Sequence, residues 1–398
     1  MQRSTDRILT THTGSLPRPT DLLETMRDRE AGKPVDEAAF EERLREAVEW
    51  NVRRQREAGI DVVSDGEVGK PSFQAYVRER LSGFEIRRPA NDTAPAVTTF
   101  GPIDPHGRDA QIFPDYYEYV IANSPFKNVI PTAPRVCVGP IRYTGQALVQ
   151  RDIANLKTAI GDSDVVEAFL PALSPVVNLR NEYYSSDEEY AAAYADAMRE
   201  EYTLILDAGL LLQVDDPFMA STWDSQVDAS LDEYRRWAEQ RVEIVNYALR
   251  DLPEDRIRYH TCYGVNFGPR VSDLQLADII DILFHIHAGA YSFEAANPRH
   301  EHEWRLFEDV KVPEGKVLIP GMVTHSNVMV EHPEAVADRI VRWARTIGQE
   351  NMLIGNDCGF ASTAGNAEIP PTVAWAKLQA LGEGARIANQ RLGASIAK

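Results

Sequence analysis

Residues 210–263 hold LLLQVDDP (210–217), an amphipathic stretch over 232–251, and IRYHTCY (257–263). In the middle stretch Tyr234, Trp237, Arg241, Ile244 and Ala248 recur at helical spacing, with Val245 and Leu249 widening the stripe. The flanking runs are short and apolar, as buried strands are. Strand, helix and strand in this order make an α/β unit on parallel strands.

Six further runs extend the pattern: ILTTHTG (8–14), IDVVSDG (60–66), VEAFLPALS (166–174), GAYSFEA (289–295), VLIPGMV (317–323) and MLIGNDCG (352–359). Helical stretches fall between most of them, as in 334–347, where Val336, Ile340, Val341, Ala344 and Ile347 recur. Gly209 and Gly348 are placed as C-terminal caps, and a final helix covers roughly 371–391. Eight strands with intervening helices predict a (β/α)8 TIM barrel, for which about 250 residues is typical. The excess length falls in 68–165, rich in Pro, Gly and aromatics (NDTAPAVTTFGPIDPHG, then FPDYYEYV). It is expected to be an insertion after strand two, carrying a hairpin or two beside the barrel mouth of a single domain spanning 1–398.

Composition narrows the function. Lys and Arg number 42 against 61 Asp and Glu, a net charge of −19, which offers no basic face for nucleic acid. The N-terminus MQRSTDRILTTHTG has no apolar signal core, and no run approaches the roughly 18 apolar residues of a membrane span. A cytoplasmic protein with small-molecule partners is expected, and assembly as a homo-oligomer is left open. No glycine-rich phosphate loop follows any strand. Three cysteines, Cys137, Cys262 and Cys358, are too few for a disulfide framework and point to a metal or catalytic role. Cys137, flanked by Val136 and Val138, reads as a packing residue.

In such a barrel the chemistry sits at the C-terminal ends of the strands. Those ends carry Ser15, Glu67, Asp215, His260-Thr261-Cys262, Glu294, His325 and Cys358. Residues i and i+2 of a strand share a face, so His260 and Cys262 can converge on one ion. Glu294 and Cys358 from neighbouring ends would complete a tetrahedral N, S, S, O set suited to zinc. Sulfur-rich ligation favours activation of a substrate thiol over hydrolysis. Asp215 and Asp216 face opposite ways, so only one lines the interior.

Through TTHTGSLPRP, GIDVVSDGE, LQVDDP, HTCYG, FEA, HSN and NDCGF, the chain resembles the catalytic barrel of cobalamin-independent methionine synthase and its short single-barrel relatives. The resemblance implies a zinc-dependent S-methyltransferase with homocysteine as acceptor. It implies His260, Cys262, Glu294 and Cys358 as zinc ligands, Ser15, Glu67 and Asp215 as thiol amino-acid contacts, and His325 as the acid assisting methyl release. The tryptophan that the family places after the third strand has no counterpart in 174–184, where Tyr183 and Tyr184 stand. The −19 charge also suits a polyanionic folate poorly, which leaves the methyl donor open.

The same activated thiol serves epoxide opening in epoxyalkane:coenzyme M transferase, where Arg18, Arg142 or Arg180 would have to meet the sulfonate. A uroporphyrinogen-decarboxylase-like lyase or a non-catalytic zinc- or thiol-binding protein are the readings of other classes. Among the remaining histidines, His12 is placed near enough to reach a substrate and His300 and His302 near the mouth. His285 and His287 fall at the opposite end.

Overall fold

The computed structural model describes residues 1–87, 104, 106–123, 135–175, 179–264, 267–365 and 369–396. Seven strands hydrogen-bond in the order Val62–Val63, Glu167–Leu173, Leu211–Asp215, Ile257–His260, Ala290–Phe293, Val317–Val323 and Gly355–Asn356. Every neighbouring pair is parallel. The predicted strand 8–14 is not a regular strand, yet it closes the barrel. Val62 N donates to Thr10 O at 3.0 Å, Thr11 N to Ile354 O at 2.8 Å and Ile354 N to Leu9 O at 3.0 Å. On the Val62 side the Asp61 carboxylate takes the Thr10 amide at 2.9 Å, which draws that donor out of a ladder with Val62–Val63; on the other side Thr10 and Ile354 form a single bridge. The eight staves of a (β/α)8 barrel are thereby present.

The helices begin and end where side-chain chemistry dictates. Leu231–Leu249 starts on a capping box in which Ser230 and Glu233 satisfy each other's backbone amides. Pro333–Ile347 buries Val336, Ile340, Val341 and Ala344 and ends at Gly348, whose φ of 84° lies in the left-handed region that glycine tolerates. The last helix is longer than its pattern predicted, spanning Pro371–Ile396. Among the described residues no helix is long and apolar enough to cross a membrane.

Between Val63 and Glu167 the chain makes an excursion before rejoining the barrel. Phe84–Ile86 pairs antiparallel with Arg135–Cys137, and Arg180–Asn181 joins that strand in parallel. Cys137 is buried there, consistent with packing. FPDYYEYV falls in the segment expected to carry a hairpin or two, but Pro114–Ala122 is a helix with Pro114 at its first position, where a missing N–H costs nothing. Gln146–Ile160 then packs against the neighbouring helices Glu37–Glu57 and Asp187–Asp207, so the final third of 68–165 belongs to the helical ring.

Candidate active site

Strand alternation builds the site in layers. Leu9, Val62, Phe169, Leu211, Ala290, Val317, Ile319 and Leu353 pack together as an apolar floor inside the barrel. Two residues along the strand from Leu211 stands Gln213, and two further Asp215, on the same face. The intervening Leu212 and Val214 join the core between sheet and helices. Asp216 likewise points outward, where Arg241 grips both carboxylate oxygens at 2.5–3.1 Å. The fully buried Arg258 fills the middle layer, donating to Thr11 Oγ1 at 2.9 Å and His12 O at 3.0 Å while lying 4.0 Å over Phe169.

Above these layers a cavity opens at the C-terminal strand ends. Ser15, Glu67, Asp215, His260, Cys262 and Cys358 line it, with Thr13, Phe73, Pro217, Gly264, Gly359 and Ser362. Six of the eight residues selected from sequence therefore face one space. Glu294 and His325 are not among the lining residues.

His260, Cys262 and Cys358 bring their ligand atoms within 4.8 Å of one another. The two sulfurs are 3.1 Å apart. His260 pairs through Nδ1 with Ser292 Oγ at 3.1 Å, while its Nε2 is buried without a hydrogen-bond partner. Burial, reinforced by Arg258, holds the imidazole down at about 3, so Nε2 offers a neutral lone pair. The Cys358 thiol is pushed up by its hydrogen bond with Cys262 and by burial, a penalty that a bound cation would reverse. An orphaned ring nitrogen beside two crowded sulfurs, with an oxygen fixing the other ring nitrogen, fits a soft divalent ion such as zinc.

Glu294 stands apart from that trio. Its Oε1 accepts Tyr263 N at 2.9 Å, and its Oε2 accepts Arg270 Nη1 at 2.9 Å and Asn297 Nδ2 at 2.8 Å. It groups instead with His325 and Asp357. Asp357 holds the loop after Ala290–Phe293 by accepting the amides of Ala295, Ala296 and Asn297 at 2.8–3.0 Å. Any side chain at position 321 would disturb this, since a Cβ on Gly321 would fall 2.0 Å from Asp357 Oδ1. His325 reaches the cavity wall through Gly264, whose carbonyl lies 3.2 Å from Nε2. Burial lowers His325 to about 4, so the resting ring is neutral.

Glu67 and Asp215 form the acidic side of the cavity. Glu67 sits in the left-handed region at φ 54°, uncommon for a side chain with a Cβ, and its Oε2 has no hydrogen-bond partner. Lys70 Nζ lies 3.5 Å from that oxygen but donates to Pro171 O at 2.6 Å. Burial, then the Glu67 charge, pushes the Asp215 carboxyl well above the carboxylate range. Two buried carboxylates with unspent acceptors make a receptor for a cation.

Several other sequence assignments change. His12 is buried against Gln55 Oε1 at 2.8 Å and Phe169 at 5.3 Å, not directed at a substrate. His300 is not at the mouth: it is fully buried between Asp273 and Glu303 and stacked 4.1 Å from Tyr263. His302, His285 and His287 are exposed. Arg18 is spent on the carbonyls of Ala361, Glu67 and Lys70, and Arg180 is exposed beside Glu182. Neither they nor Arg142 lines the cavity. Tyr184 uses its hydroxyl to accept the Ile141 amide, and residues 176–178 of the stretch lacking a tryptophan lie outside the described residues. Phe73, Ser362 and Arg270 had no local signal in the sequence.

Comparison with known proteins agrees with this architecture. Residues 8–94 and 174–377 match the family model described as cobalamin-independent synthase, catalytic domain. The chain is 27% identical to a methionine synthase of Thermococcus kodakarensis over 348 residues, covering 87% of this chain and 85% of that protein. It is 25% identical to a Saccharolobus islandicus methionine synthase, covering 96% and 95%. A 5-methyltetrahydropteroyltriglutamate–homocysteine methyltransferase of Streptomyces avermitilis is 24% identical over 88% of this chain but only 39% of its own length. The fold matches a B12-independent methionine synthase from Shewanella sp. W3-18-1 in complex with selenomethionine, with a TM-score of 0.71, 21% identity and coverage of 98% and 99%. With most of its length inside the family match, the chain belongs to the cobalamin-independent synthase family through its catalytic domain, and is a methyltransferase of that family.

Proposed function

We propose that the protein transfers a methyl group to the sulfur of homocysteine, with zinc held by His260, Cys262 and Cys358. The observation that carries this reading is the meeting of the His260–Cys262–Cys358 trio and the Glu67–Asp215 pair in one cavity. Bound there, zinc would supply the Lewis acidity that keeps a substrate thiol ionised near neutral pH. Glu67 and Asp215 receive the ammonium group and thereby aim the thiol toward the trio. Burial of the charged lining residues lowers the dielectric around the reacting sulfur and strengthens their hold on the ammonium group.

His325 is the proposed proton donor. Its hydrogen bond to Gly264 O places a proton on Nε2 at the wall of the cavity, while Nδ1 is buried without a partner. The ring, neutral at rest, would first take up the proton that the substrate thiol releases, and the imidazolium so formed would pass one proton to the anionic leaving group and return to neutral. Glu294, held by Arg270, is proposed as the remaining ligand only on the family resemblance; its carboxylate would have to leave donors it now satisfies. The acidic lining disfavours a sulfonate thiol such as coenzyme M, and so the epoxide-opening alternative. The experiment is a matrix of homocysteine and coenzyme M against methyl-folate, simpler methyl donors and an epoxide, using zinc-loaded protein. Methionine formation is the expected product; turnover only with coenzyme M and epoxide overturns the proposal.

A further inference from the structure

We propose that Ser362 is a substrate-binding residue, its hydroxyl taking the acidic group of the thiol substrate. The inference rests on the reading of this cavity as a thiol amino-acid site and adds a contact to it. An amino acid brings a negative group as well as an ammonium, and the cavity treats the two unequally. Its acidic lining residues are Glu67 and Asp215, and among the described lining residues none is a lysine or arginine, while His260 belongs to the metal trio. The two nearby cations are committed elsewhere. Lys70 donates to Pro171 O and lies 4.3 Å over the Tyr76 ring, while Arg18 is spread over three backbone carbonyls. With the metal reserved for the sulfur in this reading, the negative group is left to neutral donors.

Three hydroxyl residues line the cavity: Thr13, Ser15 and Ser362. Thr13 Oγ1 already donates to Asn356 O at 3.0 Å. Ser15, set beside Gly359, is the contact that the family resemblance already implies. Ser362 is different: the residue is 7% exposed, and its Oγ is buried without any hydrogen-bond partner. A buried hydroxyl left unpaired costs free energy, a cost removed when a ligand supplies the acceptor.

The loop that carries it is fixed in advance. Phe73 N donates to Ser362 O at 3.0 Å, Ala364 N to Pro71 O at 2.8 Å, and Arg18 Nη1 to Ala361 O at 2.7 Å. Arg18 also holds Glu67 O, at 2.9 Å, so one guanidinium ties the serine loop to the loop of the ammonium receptor. Binding then needs little reordering of the hydroxyl. Affinity for the acidic group comes from a hydrogen bond to a charged acceptor, not from an ion pair.

The test measures calorimetric dissociation constants of zinc-loaded wild-type protein and Ser362→Ala for homocysteine and for 3-aminopropane-1-thiol, which is homocysteine without its carboxylate. Wild type is expected to bind both. Ser362→Ala should bind homocysteine roughly tenfold more weakly, the worth of one hydrogen bond to a charged group, and 3-aminopropane-1-thiol unchanged. KM for homocysteine should rise with kcat retained. A crystal structure of wild type with homocysteine gives an independent reading, with Ser362 Oγ expected within hydrogen-bond distance of the carboxylate. Equal weakening for both thiols, no weakening, or a carboxylate out of reach of Ser362 overturns the inference. Failure of wild type to bind either thiol instead overturns the reading of the cavity on which it rests.

Discussion

Cys262 Sγ and Cys358 Sγ lie 3.1 Å apart although 96 residues of chain separate them. Barrel closure brings them together, since one follows the strand Ile257–His260 and the other follows Gly355–Asn356. Two thiols so close are crowded without an ion between them. In protein stripped of metal by a chelator, mild oxidation should join Cys262 to Cys358 and leave Cys137 as the single thiol, because Cys137 lies in the separate three-stranded sheet. Thiol titration with peptide mass mapping checks this. Zinc added first should protect both cysteines; loss of Cys137 before the pair would contradict the assignment.

The carboxylate pair makes a pH prediction. Burial and the Glu67 charge hold the Asp215 carboxyl up, so homocysteine binding should weaken as pH falls through that raised value and the receptor loses its charge. Glu67→Gln removes the like charge and should move this weakening to lower pH, while Asp215→Asn should raise KM roughly ten- to hundredfold at neutral pH. KM measured against pH, with zinc content as the control, distinguishes this from general damage. Zinc content should stay unchanged in both variants.

Gly359 sets the space beside Ser15. A Cβ there would come 1.9 Å from Ser15 Oγ and 3.5 Å from Ser15 N, so Gly359→Ala must displace the serine. The expected result is weaker homocysteine binding with a loss of stability of about 1–3 kcal/mol, typical of overpacking. Isothermal titration and urea unfolding measure the two effects separately.

His300 contributes to stability in a defined pH window. Burial opposes its charge, but hydrogen bonds to Asp273 and Glu303 outweigh burial and raise the imidazole from 6.5 to about 9. A raised folded-state value means the contribution is complete below about 6.5, the unfolded value, and is lost as pH climbs through about 9. Its size is on the order of 3 kcal/mol. Urea unfolding at the two ends of that window should show a difference that shrinks in His300→Gln.

The layout of the barrel was legible because it rests on local periodicity. The alternation that separates Asp215 from Asp216, and the i, i+2 pair His260 and Cys262, follow from strand geometry alone. What escaped depends on contacts distant in sequence. Segment 8–14 closes the barrel without a regular ladder because Asp61 takes the Thr10 amide. Glu294 is drawn toward Arg270, whose own position is set by a loop beyond Tyr263. Ser362 enters the cavity because its loop docks on Pro71 and Phe73, a pairing with no periodic signature.

The central claim is that His260, Cys262 and Cys358 hold zinc where a substrate thiol can join it. X-ray absorption at the zinc edge, on protein with one zinc per chain, counts sulfur neighbours directly. The account predicts two sulfurs in the resting protein and three after homocysteine is added, with the zinc lost in Cys262→Ser and Cys358→Ser. Zinc that keeps the same sulfur count in saturating homocysteine, or that remains in both serine variants, would contradict it.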